Sequence, residues 1–216
     1  MSCSRIAFIA PAGYGKTQAI VNRVKDTEGK ALVLTHTNAG VTALGNRLRL
    51  AGVEPACCEV STIASYCEKW VKAYPKTAGF DELSTFTGSA YYDQLYPAAG
   101  QVFSKDWAQH VLSESYSCVI VDEYQDCTIC QQEALFALSA GLDFIVYGDP
   151  MQSIFIGLGI LSAWKILLLA SGRLMRDLTG GLTPVPKSWE TRLRGFAMRC
   201  CRPSGAKACR FRWAAA

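Results

Sequence analysis

The stretch Ala10-Pro-Ala-Gly-Tyr-Gly-Lys-Thr17 follows a short apolar run at residues 6–9 and precedes a helical pattern at residues 18–25. Strand, glycine-rich turn, Lys-Thr and helix, in that order, form the arrangement of a phosphate-binding loop. Gly13 and Gly15 allow the backbone to fold back, so that its N–H groups point inward at an anion. The N-terminus of the following helix adds positive potential. The stretch therefore predicts a nucleotide site.

Each position of this loop has an expected role. Lys16 should reach the β- and γ-phosphates of ATP, and the Thr17 hydroxyl should complete a Mg²⁺ shell. The strict pattern has glycine where this chain has Ala10, so the match is to a variant of the loop. The alternative is an ordinary glycine turn with a solvated lysine, which the flanking strand and helix disfavour. The predicted backbone contacts to the nucleotide are Ala12, Gly13 and Gly15.

Length and composition indicate a globular, intracellular protein. The chain has 216 residues, of which 50% are hydrophobic and 19% are charged, enough for one ordinary domain with an appendage. The first strand comes too early to leave room for a secretory signal before it. The ten cysteines are then expected to be thiols rather than disulfides. The predicted compartment is the cytoplasm, with the nucleus or a viral replication site left open.

The charge is distributed unevenly. Residues 1–156 carry 11 Lys and Arg against 16 Asp and Glu, a net charge of −5. Residues 157–216 carry 11 Lys and Arg against 2 Asp and Glu, a net charge of +9. An acidic body and a basic tail indicate two regions of different origin or role.

Strand and helix patterns alternate along the acidic body, which predicts a parallel α/β sheet. After the first strand and helix, the predicted strands lie at 30–35, 56–60, 118–121 and 143–147, and the predicted helices at 39–50, 62–73, 104–113 and 131–140. Every polar motif follows a strand, and ligands of such sheets bind at the carboxyl ends of strands. The order of the motifs therefore predicts one shared site.

Residues 74–104 differ in composition from the rest of the body. Prolines, glycines, tyrosines and hydroxyl residues are frequent there, and Pro97 and Gly100 are expected to break any long element. The segment is predicted to be a short connecting insertion, with one helix at about residues 90–95.

Two further motifs complete the chemistry of an ATPase. Asp122 and Glu123 end a buried strand, where Asp122 can hold Mg²⁺ and Glu123 can deprotonate the attacking water. Gln152 follows the next strand, where a glutamine can sense the γ-phosphate. An acidic turn in solvent is the alternative for the first motif. The predicted catalytic residues are Lys16, Glu123 and Gln152, and the predicted metal ligands are Thr17 and Asp122.

The motifs together resemble the N-terminal RecA-like domain of UvrD/Rep-type superfamily 1 DNA helicases over about residues 5–155. Five of that family's motifs have counterparts here in the same order: I at 10–17, Ia at 34–47, Ib at 60–63, II at 119–126 and III at 147–155. The resemblance implies a three-layer P-loop NTPase with a mostly parallel sheet, which binds ATP and Mg²⁺. It also implies ATP-driven movement along single-stranded DNA, while the sequence leaves RNA open.

The resemblance also assigns a nucleic-acid path and an adenine contact. It places Thr37, Asn38, Thr62 and Phe155 along the single strand, where hydroxyls take phosphates and an aromatic ring stacks on a base. Helix capping is an equal alternative for the two threonines, and core packing for Phe155. Gln18 stands where relatives often carry an arginine that packs on adenine, so it is assigned to the nucleotide site.

The chain departs from the family beyond Phe155. No counterpart of motifs IV, V or VI is found, and these motifs bring a second RecA-like domain with its arginine fingers. An arginine finger accelerates hydrolysis by orders of magnitude. A second domain or a partner protein is therefore an implied partner, and the isolated chain should hydrolyse ATP poorly. The predicted domains are 1–156, the ATP-binding helicase domain, and 157–216, a basic tail.

The tail allows three interpretations. It could be a basic arm for nucleic acid, a metal knuckle that uses Cys200, Cys201 and Cys209, or an end without a selected fold. The loss of periodicity near residue 157 favours the third. Residues 154–170 are apolar, but Gly157, Gly159 and Lys165 within them argue against a membrane span.

Two other functions remain open from the sequence. One is a different P-loop enzyme, such as a nucleotide kinase. The other is a non-catalytic fragment that binds nucleotide or nucleic acid and works only with a partner.

Overall fold

A computed structural model of the chain describes residues 3–10, 13–79 and 88–149, together with the backbone of two short strands in the tail. Three residues with predicted roles, Ala12, Gln152 and Phe155, lie outside these ranges. The apolar segment at 154–170 and most of the basic tail lie outside them as well.

Five parallel strands form the centre of the protein. They are β1 (Arg5–Ile9), β2 (Ala31–Thr35), β3 (Cys58–Thr62), β4 (Cys118–Val121) and β5 (Asp143–Gly148). Their order across the sheet is β3-β2-β4-β5-β1, and every adjacent pair is parallel. In the tail, β6 (Met175–Arg176) pairs parallel with β1, and β7 (Leu182–Thr183) pairs antiparallel with β6. The predicted, mostly parallel sheet is confirmed.

Helices connect the strands. They are α1 (Lys16–Lys25), α2 (Asn38–Leu50), α3 (Ile63–Ala73), α4 (Pro75–Ala78), α5 (Ser89–Phe103), α6 (Asp106–Ser115) and α7 (Ile129–Leu138). Short 3-10 turns occupy Pro55–Cys57 and Tyr124–Asp126. Threonine hydroxyls cap three of the helices by accepting a backbone N–H, at Thr37, Thr62 and Thr128.

The two faces of the sheet are covered by different helices. Along β2, Leu32 and Leu34 belong to a core formed with α3, α5, α6 and α7, whereas Ala31 and Val33 belong to a core formed with α1 and α2. Because successive side chains of a strand point to opposite faces, a strand buried on both sides must be apolar throughout. This explains the uncharged runs in the sequence and confirms the three-layer α/β fold.

The expected break in residues 74–104 is wrong. A single helix, α5, runs from Ser89 to Phe103 through both Pro97 and Gly100. A proline and a glycine inside a helix cost about 4 kcal/mol together. Four large side chains of α5 are buried, Leu95, Tyr96, Val102 and Phe103, and their burial contributes about 6–12 kcal/mol. Tertiary packing therefore outweighs the local preference, and α5 is part of the core.

Two further sequence expectations concern cysteines and membranes. All seven cysteines that the structure describes have free thiols, and Cys67, Cys118 and Cys127 are buried. Within the described ranges, none of the helices combines the length and the apolar character that crossing a membrane requires.

Candidate functional site

The loop after β1 has the conformation that its glycines predict. Gly13 and Gly15 both have φ of 80°, in the left-handed region, and a Cβ on either would meet nothing within 4 Å. Glycine is therefore favoured there by backbone conformation and not by crowding. Gly15 is the N-cap of α1. The first N–H groups of a helix have no acceptor within the helix, so this turn offers donors to an anion.

Lys16 and Glu123, both assigned to catalysis, come together in the structure. The Lys16 side chain is almost buried, and its Nζ lies 3.3 Å from the carbonyl oxygen of Ala10, to which it donates a hydrogen bond. The same Nζ lies 3.7 Å from Oε2 of Glu123, whose side chain is 40% exposed. The loop after β1 and the acidic turn after β4 therefore lie next to each other, although β5 lies between β1 and β4 in the sheet.

The acidic turn is held in an unusual backbone conformation. Glu123 has φ of 50° and ψ of 44°, in the left-handed region, which costs a residue with a side chain about 1–2 kcal/mol. The N–H of Glu123 donates to Oδ1 of Asp122 at 3.0 Å. Oε2 of Glu123 accepts a hydrogen bond from Nε2 of Gln125 at 2.7 Å. Strain of this kind persists where the surroundings fix it, and it is concentrated at functional sites.

Asp122 lies in an environment that disfavours its charge. Burial raises the pKa of this carboxyl from 3.8 to about 6, and the negative charge of Glu123 adds to the effect. The N–H of Glu123 and the ammonium of Lys16 act in the opposite direction. A cation bound at Asp122 would relieve both the burial penalty and the repulsion between the two carboxylates.

A cavity of about 330 Å³, which we call the phosphate-loop cavity, is lined by Gly13, Gly15, Lys16, Thr17, Gln18, Arg47 and Glu123. Its volume is within the range of small-molecule sites. Five of the seven lining residues come from the loop and the first turn of α1, and the sequence assigned all five to the nucleotide site. Arg47, from α2, is a second cation at this cavity to which the sequence assigned no role.

These residues fit a magnesium–nucleotide complex. The cavity has backbone donors and two cationic side chains for phosphate oxygens, and Thr17 and Asp122 offer the oxygen ligands that Mg²⁺ prefers. Among the described residues, no group of three or more His, Cys, Asp or Glu could hold a metal ion. Mg²⁺ commonly needs only one or two carboxylates, because substrate phosphates supply further ligands.

A second cavity of about 270 Å³ opens at the carboxyl ends of β2 and β3, and we call it the strand-edge cavity. It is lined by His36, Thr37, Asn38, Thr62, Ala64, Ser65, Glu68, Tyr91, Tyr92 and Leu95. Three of the residues assigned to nucleic acid, Thr37, Asn38 and Thr62, therefore meet in one cavity. Tyr91 and Tyr92 come from α5, which the sequence interpretation had placed in an insertion without a role.

The two threonines of the strand-edge cavity have the capping role that was the alternative to nucleic-acid contact. Thr37 accepts the N–H of Gly40 at 3.0 Å, so its own hydroxyl hydrogen is still available to a phosphate. Thr62 accepts the N–H of Ser65 at 3.0 Å and donates to Oγ of Ser65 at 2.8 Å. Thr37 can therefore cap the helix and contact nucleic acid at the same time. The Thr62 hydroxyl already accepts one hydrogen bond and donates another within the protein.

His36 lies between the two cavities. It lines the strand-edge cavity, and its ring hydrogen-bonds the backbone of Glu123 and lies 3.5 Å from Sγ of Cys127 at Nε2. Burial lowers the pKa of His36 below 6.5. The sequence predicted one shared site, and the structure has two neighbouring cavities at one edge of the sheet, with His36 lining one and hydrogen-bonding the backbone of Glu123, which lines the other.

Fold and site define the class of protein, a P-loop NTPase. Residues 2–158 match a family model described as an AAA domain, which covers more than half of the chain. The chain therefore belongs to this family. No curated protein matches the chain.

The charge of Asp122 should make the protein less stable at neutral pH than at mildly acidic pH. The Asp122 carboxyl binds a proton more tightly in the folded state than in the unfolded state. The contribution of Asp122 to stability therefore falls as pH rises from about 4 to about 6. We expect Asp122→Asn to raise the free energy of unfolding at pH 8 by about 1–3 kcal/mol, as measured by urea unfolding without added metal.

The gain from Asp122→Asn should disappear at about pH 3, below both pKa values, where Asp122 is mostly protonated in the folded and the unfolded state. Added Mg²⁺ should raise the free energy of unfolding of the wild type at pH 8. The stability of the Asn variant should not change with Mg²⁺, because the substitution removes one metal ligand. Equal stabilisation of both proteins by Mg²⁺ would contradict the assignment of Asp122 to the metal.

Proposed function

We propose that this chain is the ATP-hydrolysing motor domain of a UvrD/Rep-like DNA helicase, and that its ATPase cycle serves movement along single-stranded DNA. The observation that carries the proposal is the meeting of Lys16 and Glu123 at the phosphate-loop cavity, with 3.7 Å between Nζ and Oε2. The family to which residues 2–158 belong occurs in UvrD/Rep-like helicases, which supports the choice among P-loop enzymes.

The residues of the phosphate-loop cavity have distinct roles in this proposal. Backbone N–H groups of the loop and the ammonium of Lys16 bind the β- and γ-phosphates. Thr17 and Asp122 would hold Mg²⁺, which neutralises charge on the phosphate oxygens when bound. Glu123 orients a water molecule and takes its proton as the water oxygen bonds to the γ-phosphorus; the bond from that phosphorus to the bridging oxygen breaks, and ADP leaves. Both described contacts of the Glu123 carboxylate, from Lys16 and Gln125, are made to Oε2. We therefore assign Oε1 of Glu123 as the oxygen that accepts the proton from the water molecule.

Hydrolysis by this chain alone should be slow. Arg47 is the one arginine that lines the phosphate-loop cavity within the described residues, and it comes from the same domain. In the family that the sequence resembles, further arginines come from a second RecA-like domain. We therefore propose that a second domain or a partner protein completes the site.

The strand-edge cavity is the proposed binding site for the single strand. Thr37 and Asn38 begin α2, where a hydroxyl and helix N–H groups can contact a phosphate. Tyr92 is 47% exposed at the same cavity and presents an aromatic surface on which a base can stack. Gln152 and Phe155 keep their proposed roles, as γ-phosphate sensor and base contact, on the basis of sequence alone.

Removal of the Lys16 ammonium tests the nucleotide site. Lys16→Ala should weaken binding of Mg·ATP by at least about tenfold, because a nearly buried charge that contacts phosphate is lost. Lys25→Ala is the matched control, since Lys25 is exposed at the other end of the same helix. Binding is measured by calorimetry, and hydrolysis by single-turnover assay with radiolabelled ATP.

The hydrolysis assay also separates the candidate functions. The wild type should release phosphate slowly, with little stimulation by single-stranded DNA. Transfer of the phosphate to a nucleotide acceptor would indicate a kinase instead. Binding of ATP that Lys16→Ala leaves unchanged would overturn the proposed site.

The single-strand site is tested by a tyrosine pair. Tyr92→Ala should weaken binding of a fluorescent oligo(dT) by about 5- to 100-fold, which corresponds to the loss of one stacked base. Tyr74→Ala is the control, because Tyr74 is 39% exposed but packs beside Trp107, away from the strand-edge cavity. Fluorescence anisotropy measures both affinities at one fixed salt concentration. Equal losses for the two variants would argue against this cavity as the DNA site.

A further inference from the structure

Gln125 joins two parts of the site that are distant in sequence. Its Nε2 donates to Oε2 of Glu123 at 2.7 Å, and its Oε1 accepts the N–H of Asp149 at 2.9 Å. Gln125 is only 2% exposed, so water competes little for these two hydrogen bonds. One side chain therefore connects the carboxylate after β4 to the main chain directly after β5.

The chemistry of the two partners fixes the orientation of the Gln125 amide. The ionised carboxylate of Glu123 can only accept a hydrogen bond, and the N–H of Asp149 can only donate one. Rotation of the amide by 180° would place oxygen against oxygen and N–H against N–H. The position therefore requires a side chain with one donor and one acceptor. Neither glutamate nor methionine can both donate to Glu123 and accept from the Asp149 N–H.

We propose that Gln125 is a positioning residue of the ATPase, which holds the Glu123 carboxylate in place and couples it to Asp149, directly after β5. This inference rests on the proposed function of Glu123 as the base. Glu123 has a left-handed backbone and a side chain that is 40% exposed, so the local chain alone does not fix its carboxylate. The hydrogen bond from Gln125 supplies that constraint from a buried position.

The hydrogen bond from Asp149 to Gln125 also connects Glu123 to the phosphate loop. Asp149 directly follows Gly148, the last residue of β5, and the carbonyl of Gly148 accepts the N–H of Ala10 at 3.1 Å. The end of β5 is thus tied to the start of the phosphate loop through Gly148 and to the base through Asp149 and Gln125. A shift of Asp149 would move Glu123 through Gln125, which is how Gln125 would couple the end of β5 to the base.

Two replacements of similar size separate the two hydrogen bonds. Gln125→Glu retains an acceptor for the Asp149 N–H but loses the donor to Glu123. Gln125→Met loses both. Gln132→Met is the matched control, because Gln132 is also 2% exposed and donates to the carbonyl of Cys127 without touching Glu123.

Three measurements are made on each full-length variant. We expect the dissociation constant of Mg·ATP to stay within about threefold of wild type, because Gln125 does not line the phosphate-loop cavity. The single-turnover hydrolysis rate should fall about 10- to 100-fold in both Gln125 variants and stay within about threefold in Gln132→Met. Exchange of the Asp149 amide, followed by NMR, should accelerate at least about tenfold in Gln125→Met only.

The outcomes separate this inference from the proposed function. Hydrolysis at the wild-type rate in both Gln125 variants, or an equal loss in Gln132→Met, would overturn the positioning role. An unchanged Asp149 amide in Gln125→Met would show that the link to β5 is absent, even in a protein that does not hydrolyse ATP. ATP binding that does not depend on Lys16 would instead refute the proposed function. The exchange rate of the Asp149 amide would then still test whether Gln125 holds Asp149.

Discussion

The parallel direction of the five central strands is the constraint on which the site depends. Because β1 to β5 run the same way, the loop after β1, the start of α2, the start of α3, the acidic turn after β4 and the end of β5 all lie at one edge of the sheet. Parallel strands require crossover connections, and the helices that form them cover both faces with apolar side chains. The polar residues of the sequence motifs therefore lie at this edge, where they are close enough to act together.

The charges at this edge are arranged at a cost to stability. Asp122 and Glu123 are adjacent carboxylates, and one nearly buried lysine lies 3.7 Å from the second of them. Burial and mutual repulsion raise the pKa of Asp122 to about 6, and Glu123 keeps a left-handed backbone. Both features destabilise the folded protein in isolation. Both are understandable under the proposed function, in which these carboxylates hold a cation and take a proton from water, since such sites favour function over stability.

Much of the fold could be predicted from the sequence because local and tertiary preferences agree there. The run Leu32–Leu34 has no polar residue because it is buried on both faces, and Thr62 begins α3 because its hydroxyl caps the helix. The phosphate loop, and its nearness to the acidic turn, could be predicted for a related reason: each motif directly follows a strand. Prediction failed at α5, where Pro97 and Gly100 are unfavourable locally but the helix buries four large side chains. Arg47 and the link from Gln125 to Asp149 were also missed, because contacts between different helices and strands leave no periodic signal in a single sequence.

We infer that the phosphate loop and the acidic turn form one nucleotide site. Amide hydrogen exchange with and without saturating Mg·ATP tests it most directly, because it reports both segments in the same experiment. We expect exchange to slow at residues 13–18 and also at residues 122–125, while exchange at residues 63–66, beside the strand-edge cavity, stays unchanged. Protection of the loop without the acidic turn, or protection only at the strand-edge cavity, would contradict it.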